Sequence, residues 1–205
     1  LVIDAWYHLF NRKLFNELKP YERTYFVAYD GRYKNRIIIP YRKNKDIYFF
    51  QGRSMYPDMH PKYLNPMGKS GLKSGDVLYP YEDNSDHLVL CEGPIDAISL
   101  QLQGVNATCI NGSKITDNQL DLLKKFPGKI IAGFDNDKAG REGLYHLDWM
   151  RKKRLMPKIE VCFCSKDSKD WNDMHVKGLD LKTYVKENSA PFDEYETMIA
   201  QFLEN

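Results

Sequence analysis

Acidic residues follow three apolar runs of this chain, in positions where they could share one cation. They are Glu92, Asp135, Asp137, Asp170 and Asp173. Carboxylates that converge at short range cannot all stay ionised unless a cation screens them. A set of oxygen ligands without histidine or thiol favours Mg²⁺ or Mn²⁺ over zinc. Magnesium often bridges to substrate phosphates, so the pattern indicates phosphoryl or nucleotidyl chemistry.

The elements that must position these carboxylates alternate regularly from residue 88 onward. Short apolar runs predict strands, and runs with leucine at helical spacing predict helices. The strands are 88–91, 106–110, 129–134 and 158–164, and the helices are 94–104, 115–126 and 139–154. Pro94 is expected to begin its helix, and Thr116 is expected to be an N-cap. Strands that alternate with helices predict a parallel sheet covered on both faces.

The carboxyl ends of parallel strands emerge on one side of a sheet, where α/β proteins place their ligand sites. Glu92 follows the first predicted strand, Asp135 and Asp137 follow the third, and Asp170 and Asp173 lie just past the fourth. The fold would therefore gather residues that are far apart in sequence.

Several of these residues also have ordinary structural explanations. Asp96 lies in the first turn of a predicted helix, where a carboxylate favours the helix dipole whether or not it serves a site. Asp135 alone is typical of the turn after a strand, and Asp170 and Asp173 alone are typical of loops. The coincidence of Asp135 and Asp137 with Glu92 at a matching strand end favours a site.

The front of the chain predicts a different structure. Residues 4–18 predict a helix, and residues 35–41 and 47–53 predict a β-hairpin in which Pro40 suggests an edge strand. Residues 61–76 are rich in Gly, Pro and Lys and predict mostly loop. The tail from residue 180 predicts one or two amphipathic helices separated at Pro191.

Charge is unevenly spread along the chain. Residues 1–85 contain 14 Lys and Arg against 9 Asp and Glu, whereas residues 180–205 contain 2 against 6. A basic front and an acidic tail suggest a polyanion partner that is held mainly by the front, although many basic faces are merely solvated.

Composition excludes several classes of protein. The chain has 205 residues, of which 42% are hydrophobic and 28% charged, as in ordinary soluble domains. No apolar run approaches the length of a membrane span. The opening LVIDAWYHLF lacks the features of a signal peptide, and we expect the N-terminus to be a cut within a longer protein. The four cysteines lack zinc-ligand spacing, so we expect reduced core thiols and no zinc in this chain.

Three motifs of the second half resemble the Toprim domain shared by primases and topoisomerases. They are EGPIDAISL (92–100), FDNDKAGREG (134–143) and KDWND (169–173). The Ala-Gly after the second aspartate is similar to the primase branch, in particular to bacterial replicative primases and phage primase–helicases. Four stretches of the front resemble the N-terminal subdomain of the bacterial primase RNA-polymerase core: NRIIIPY (35–41), QGR (51–53), PKYLNP (61–66) and LYPYE (78–82).

The resemblance implies a role for each matched residue. Glu92 would be the general acid or base, or a metal-linked carboxylate, beside Asp135 and Asp137 as the principal Mg²⁺ ligands. Asp170 and Asp173 would complete a second metal region, and Asp96 would support the site. Arg36, Arg53, Lys62 and Asn65 match positions where primases hold template and triphosphate. Tyr63 could stack on a base or anchor its loop.

The sequence also departs from this family. Gln51 occupies a position where bacterial primases usually have glycine. We find no zinc-binding module, helicase motor or complete P-loop motif, so the chain is expected to extend primers better than it initiates them. The tail after residue 180 could be a linker, a docking helix for a helicase or a packed terminal helix.

The resulting prediction is an α/β Toprim domain, with a four-stranded parallel sheet flanked by helices, joined to a smaller N-terminal basic α+β subdomain. The expected boundaries are 1–85, 86–179 and 180–205. The predicted function is a DNA primase core, phage-type and cytoplasmic, that makes RNA primers from ribonucleoside triphosphates on single-stranded DNA. A replicative helicase and a separate zinc-binding module are possible partners. The alternatives are a Toprim nuclease, which would cleave with the same carboxylates, and a non-catalytic nucleic-acid-binding module; a topoisomerase is the least favoured.

Overall fold

Two β-sheets form, one in each half of the chain. In the computed structural model an antiparallel sheet lies within residues 1–77 and a mainly parallel sheet within residues 78–205, and each range is a compact unit. The structure describes residues 2–14, 25–43, 46–66, 71–82, 85–156 and 159–195. The domain boundaries expected after residues 85 and 179 stay predictions.

The first unit contains the predicted hairpin at the centre of a four-stranded sheet. Its elements are α1 (Val2–Asn11), β1 (Phe26–Ala28), β2 (Arg36–Lys43), β3 (Asp46–Ser54) and β4 (Tyr63–Leu64). The strand order is β1-β2-β3-β4, and every neighbouring pair is antiparallel. Residues that alternate along the hairpin share a buried face, because successive strand side chains point to opposite sides of a sheet.

Two expectations for the first unit are wrong in detail. Pro40 does not mark an edge strand, because β2 pairs with both β1 and β3. Proline is tolerated there because β1, as far as the structure describes it, begins opposite Ile38 and pairs no further toward Pro40. The helix expected over residues 4–18 ends at Asn11, since Lys13 adopts a left-handed conformation with φ of 50°. Residues 15–18 of that expectation lie outside the described residues.

The second unit contains the predicted alternation of strands and helices. Its elements are β5 (His87–Cys91), α2 (Pro94–Leu102), β6 (Ala107–Cys109), α3 (Asp117–Leu123), β7 (Lys129–Ala132), α4 (Lys138–Lys152), β8 (Ile159–Val161), α5 (Trp171–Lys177), α6 (Leu181–Asn188) and β9 (Ala190–Pro191). The strand order is β6-β5-β7-β8-β9. The first four strands are parallel, as predicted, and β9 is antiparallel to β8.

The start signals of two helices are confirmed. Pro94 occupies the first turn of α2, where its missing N–H costs no hydrogen bond. Thr116 caps α3: its Oγ1 accepts from the Gln119 backbone N–H at 3.2 Å, and the Gln119 side chain accepts from the Thr116 N–H. Gln119 also donates to the Ile110 carbonyl at 2.7 Å, which ties α3 to the loop after β6.

Pro191 follows α6 at the point where the tail was expected to divide, and it lies in β9 at the edge of the sheet. An edge strand accommodates proline because one side of the strand has no ladder partner. A short 3₁₀ helix, Phe192–Tyr195, follows. Residues 196–205 lie outside the described residues.

Helices cover both faces of the parallel sheet. Leu88 and Leu90 of β5 belong to a core cluster with residues of α3 and α4, including Leu120 and Leu147. On the other face α2 packs against β5, β6 and α5. The four cysteines are buried free thiols, as predicted. In the part of the chain that the structure describes, the helices lack the length and apolar character of a membrane span.

Candidate active site

Glu92 and Asp135 follow neighbouring parallel strands and meet where those strands end. Glu92 comes directly after β5, and Asp135 comes three residues after β7. The backbone N–H of Asp135 donates to Glu92 Oε1 at 3.2 Å. The sheet therefore brings together two carboxylates that are 43 positions apart in sequence.

Asp137 is the N-cap of α4. Its Oδ1 accepts from the backbone N–H of Gly140 at 2.9 Å, which satisfies one of the free donors at the helix start. A Cβ atom on Gly140 would lie 2.1 Å from the Asp135 carbonyl oxygen. Only glycine therefore allows this first turn to approach the Asp135 backbone so closely.

Asp170 is the N-cap of α5, and its Oδ1 accepts from the Asp173 backbone N–H at 2.7 Å. The loop before Asp170 is held by the side chain of Asn136. Its Nδ2 lies 3.1, 3.4 and 3.3 Å from the carbonyl oxygens of Cys164, Ser165 and Ser168 respectively. Asn136 therefore fixes the loop after β8 against the loop after β7.

Asp96 is buried in the first turn of α2 and links that helix to α5. Its Oδ1 accepts from the Asn172 backbone N–H at 3.1 Å, and the Asn172 side chain donates to Ser99 Oγ at 3.0 Å. These contacts give Asp96 a function beyond starting its helix, since they hold α5 and hence its N-cap, Asp170.

The carboxylates converge on Asp135. Burial, followed by the negative charges of Asp96, Glu92, Asp170 and Asp137, raises the pKa of Asp135 to about 8. Its Oδ1 is buried without a hydrogen-bond partner among the described residues. An acceptor left unsatisfied in a negative environment is costly unless a proton or a cation satisfies it.

Asp173 occupies a different environment from these four neighbours of Asp135. Its Oδ2 accepts from Lys177 Nζ at 2.9 Å and from the Lys169 backbone N–H at 3.3 Å. The hydrogen bond from Lys177 holds the pKa of Asp173 below its ordinary value. The charge of Asp173 is therefore already compensated, and its assignment to a metal region stays a prediction.

The residues around Asp135 fit a hard divalent cation in charge and donor type. The unpartnered Asp135 oxygen and the four surrounding carboxylates supply oxygen ligands alone, as Mg²⁺ and Mn²⁺ prefer. Within the described ranges, no three side chains of His, Cys, Asp or Glu are already arranged as a ligand set. Side-chain rotation would have to complete the coordination.

The two predicted arginines of the first unit are both largely buried. Arg36 is 3% exposed and donates to the Gly52 carbonyl at 3.0 Å, and burial lowers its pKa. Arg53 is 9% exposed, and its guanidinium lies 4.9 Å from the centre of the Tyr63 ring. The burial of Arg36 favours a supporting role, and contact of either arginine with template or triphosphate stays a prediction.

Lys62 and Asn65 differ in how firmly they are held. The Lys62 side chain is exposed, whereas Asn65 is half-buried and accepts two hydrogen bonds. Gln51 Nε2 donates to Asn65 Oδ1 at 2.9 Å, and the Tyr33 hydroxyl donates to the Asn65 carbonyl at 3.0 Å. Tyr63 lies half-buried beneath Arg53, which favours the loop anchor over an open stacking platform.

Sequence reasoning missed the residues that hold the site together. Asn136 clamps the loop before Asp170, and Trp171 Nε1 donates to the Gly133 carbonyl at 2.8 Å. A Cβ on Gly133 would lie 2.7 Å from Val89 Cγ1 and 3.0 Å from Trp171 Nε1. An asparagine between two aspartates and a tryptophan between Asp170 and Asn172 were the available signals, but only the fold identifies their partners.

Known proteins that resemble this chain agree on the fold. Residues 89–175 match the family model described as Toprim-like. A DNA primase of Clostridium acetobutylicum is 32% identical over 152 residues, a match that covers 67% of this chain and 25% of that protein. The chain spans about a fifth to a quarter of the length of the curated relatives it matches.

Two solved structures extend the likeness to the first unit. The catalytic domain of the DnaG primase bound to single-stranded DNA superimposes with a TM-score of 0.72 at 19% identity, covering 95% of this chain and 76% of that one. The zinc-binding and RNA polymerase domains of the Aquifex aeolicus primase give a TM-score of 0.65 at 24% identity, covering 86% and 45%. The predicted fold class and its resemblance to a Toprim-containing primase core are confirmed.

Proposed function

We propose that this chain, which combines a Toprim-like region with the fold of the DNA primase catalytic core, is the RNA-polymerising core of a DNA primase. It would join ribonucleoside triphosphates into short RNA primers on a single-stranded DNA template. The observation that carries the proposal is the set of four carboxylates whose charges converge on Asp135 within the Toprim-like domain.

The first unit favours a primase over a nuclease. A Toprim domain alone is compatible with either activity, because the same carboxylates could assist cleavage or synthesis. The likeness to the DNA-bound primase domain covers 95% of this chain and so includes the antiparallel sheet of the first unit. Template and triphosphate binding by that unit would depend strongly on phosphate contacts, and therefore on salt.

Asp135, Asp137, Asp170 and Glu92 would hold one or two Mg²⁺ or Mn²⁺ ions. When bound, such ions lower the cost of deprotonating the attacking 3′-hydroxyl and stabilise the negative charge on the departing pyrophosphate. Asp135 must first lose the carboxyl proton that burial and the negative charges of its neighbours stabilise. Glu92, oriented by its hydrogen bond from the Asp135 N–H, would accept the hydroxyl proton or support the ions.

Residues of the first unit would bind phosphate. Lys62 supplies an exposed point charge, Asn65 an amide held in place by Gln51, and Arg53 a guanidinium fixed over Tyr63. Arginine and lysine differ here, since the arginine fork grips a phosphate with two parallel hydrogen bonds whereas lysine acts as a point charge.

Partners of the whole protein are also part of the proposal. The relative from Aquifex aeolicus carries a zinc-binding domain beside its RNA polymerase domain. A zinc-binding module, in the same protein or supplied separately, would help select the start site, and a replicative helicase would supply template. The expected location is the cytoplasm, that of a bacterial host if a phage encodes the chain.

The test incubates the purified chain with single-stranded DNA, labelled ribonucleotides and Mg²⁺ or Mn²⁺. Asp135→Asn removes the central carboxylate at almost constant volume. Asp121→Asn is the matched control, because Asp121 is an exposed residue of α3 that forms a surface ion pair of 3.6 Å with Lys124.

The expected result is short RNA from the wild type and Asp121→Asn but not from Asp135→Asn. A second reaction with a preformed RNA primer separates initiation from extension. Shortened DNA without RNA would favour the nuclease. Failure of both reactions would overturn the proposal in favour of a binding module, and normal synthesis by Asp135→Asn would contradict the carboxylate assignment.

A further inference from the structure

Gln51 is a buried polar residue on a strand face that it shares with Phe49 and the buried Arg53. It pairs with Ile39 across the hairpin, and Tyr41 lies two residues further along the same face. Gln51 and Ile39 are both 2% exposed, and Tyr41 is fully buried. A buried amide destabilises the fold unless its hydrogen bonds are satisfied, so the partners of Gln51 show what the residue does there.

Gln51 joins Tyr41 to Asn65. The Tyr41 hydroxyl donates to Gln51 Oε1 at 2.9 Å, and Gln51 Nε2 donates to Asn65 Oδ1 at 2.9 Å. The antiparallel register of β3 and β4, in which Arg53 lies opposite Tyr63, continues to place Gln51 opposite Asn65. We call this series of hydrogen bonds, from Tyr41 through Gln51 to Asn65, the amide relay.

The relay determines which end of the Asn65 amide is available. An asparagine side chain has one acceptor oxygen and one NH₂ group with two donors. The Asn65 oxygen accepts a hydrogen bond from Gln51 Nε2, while the Asn65 NH₂ group has no hydrogen-bond partner among the described residues. Because Asn65 is half-buried, its NH₂ group is the part left for a ligand. Such a group binds an acceptor, and phosphate oxygens are acceptors only.

We infer that Gln51 is a positioning residue, which fixes the Asn65 amide as a hydrogen-bond donor to a phosphate oxygen. The inference rests on the proposed function, in which Asn65 contacts triphosphate or template. A glycine at position 51 would offer no side chain for this task, so the relay depends on the glutamine that this chain has there.

Gln51→Glu tests the direction of the relay. Both oxygens of a glutamate accept, so the side chain keeps the hydrogen bond from Tyr41 but forces Asn65 to turn its NH₂ group inward. The Asn65 oxygen then points toward the ligand and repels phosphate. Binding of ATP and of a single-stranded oligothymidylate is measured separately on the full chain, and we expect a loss of about tenfold for the phosphate ligand that Asn65 contacts.

The added negative charge of Gln51→Glu is controlled by repeating the substitution in the Asn65→Ala background. Charge alone acts in both backgrounds, whereas reversal of the amide requires Asn65. We therefore expect a much larger loss when Asn65 is present, with the melting temperature recorded for each variant. Should glutamate destabilise the fold, the uncharged Gln51→Met serves in the same cycle, and its loss of affinity should disappear in the Asn65→Ala background.

Equal losses in the two backgrounds, or unchanged affinity in Gln51→Glu, would overturn the inference while leaving the proposed function intact. The unchanged result would mean that the relay runs in the opposite direction. Loss confined to ATP identifies the triphosphate as the ligand, and loss confined to the oligothymidylate identifies the template backbone. A wild type that binds neither probe would contradict the proposed function, and the inference with it.

Discussion

The backbone N–H of Asp135 donates to Glu92 Oε1 across 3.2 Å, so the main chain at the end of one strand orients the carboxylate at the end of its neighbour. The contact draws a second negative charge toward the buried Asp135 side chain. With Asp96, Asp170 and Asp137 nearby, the fold stores electrostatic repulsion at the place where a cation would relieve it.

The pH dependence of stability should reveal this repulsion. The pKa of Asp135 is raised from 3.8 to about 8, so between these values the folded chain keeps a proton that the unfolded chain has lost. The free energy of unfolding of the wild type should therefore fall as pH rises through this window. Asp135→Asn lacks this loss, and above pH 8 in the presence of chelator it should be more stable than the wild type by an amount on the order of a few kcal/mol.

Urea unfolding at several pH values measures this difference. Asp121→Asn should follow the wild type at every pH, since Asp121 lies on the exposed surface of α3. Parallel pH profiles for Asp135→Asn and the wild type would show that Asp135 does not carry the raised pKa.

Divalent cations should stabilise the wild type through the same residue. Mg²⁺ or Mn²⁺ that binds only the folded chain raises the melting temperature by mass action. The rise should grow from pH 6 to pH 9, because the metal competes with the proton on Asp135. Asp135→Asn should show little rise, and a rise as large as that of the wild type would place the cation elsewhere.

Gly140→Ala should destabilise the protein even though alanine is the better helix former. The added Cβ would lie 2.1 Å from the Asp135 carbonyl oxygen, so the first turn of α4 must move away from the site. We expect a loss of about 1–3 kcal/mol in unfolding free energy and a fall in primer synthesis. Gly112→Ala is the control, since a Cβ there meets nothing within 4 Å; equal stability of the two variants would contradict the close approach.

Asn136→Ala should loosen the loop that presents Asp170. The substitution leaves the carbonyls of Cys164, Ser165 and Ser168 without their shared donor. Loss of these hydrogen bonds should cost about 1–3 kcal/mol, and faster amide exchange should appear in residues 164–170. Asn188→Ala, which removes a hydrogen bond to the Tyr184 carbonyl on the exposed surface of α6, should have a much smaller effect; unchanged exchange in Asn136→Ala would contradict the clamp.

Lys62→Ala should weaken binding of template or nucleotide with little change in stability. The Lys62 side chain is exposed, so its removal costs little packing. Fluorescence anisotropy of labelled single-stranded DNA across a salt series should show lower affinity and a shallower salt dependence than the wild type. Lys34→Ala, also exposed in the first unit, is the control. If both variants bind alike, Lys62 is a bystander.

The class of fold and the identity of the acidic residues could be predicted from the amino-acid sequence alone. The alternation of apolar runs with helical periodicity is a local property, which is why the four parallel strands, the start of α2 at Pro94 and the Thr116 cap could all be predicted. The expectation that strand ends gather Glu92, Asp135 and Asp170 follows from parallel topology, because every such strand ends on the same side of its sheet.

Tertiary structure decided which of these residues share an environment. Asp173 and Asp170 are three residues apart, yet Lys177 compensates the charge of Asp173 while Asp170 contributes to the raised pKa of Asp135. Likewise, only the fold pairs Gln51 with Asn65 and places Pro191 in an edge strand. Burial and long-range hydrogen bonds depend on residues distant in sequence, so no local pattern could have specified them.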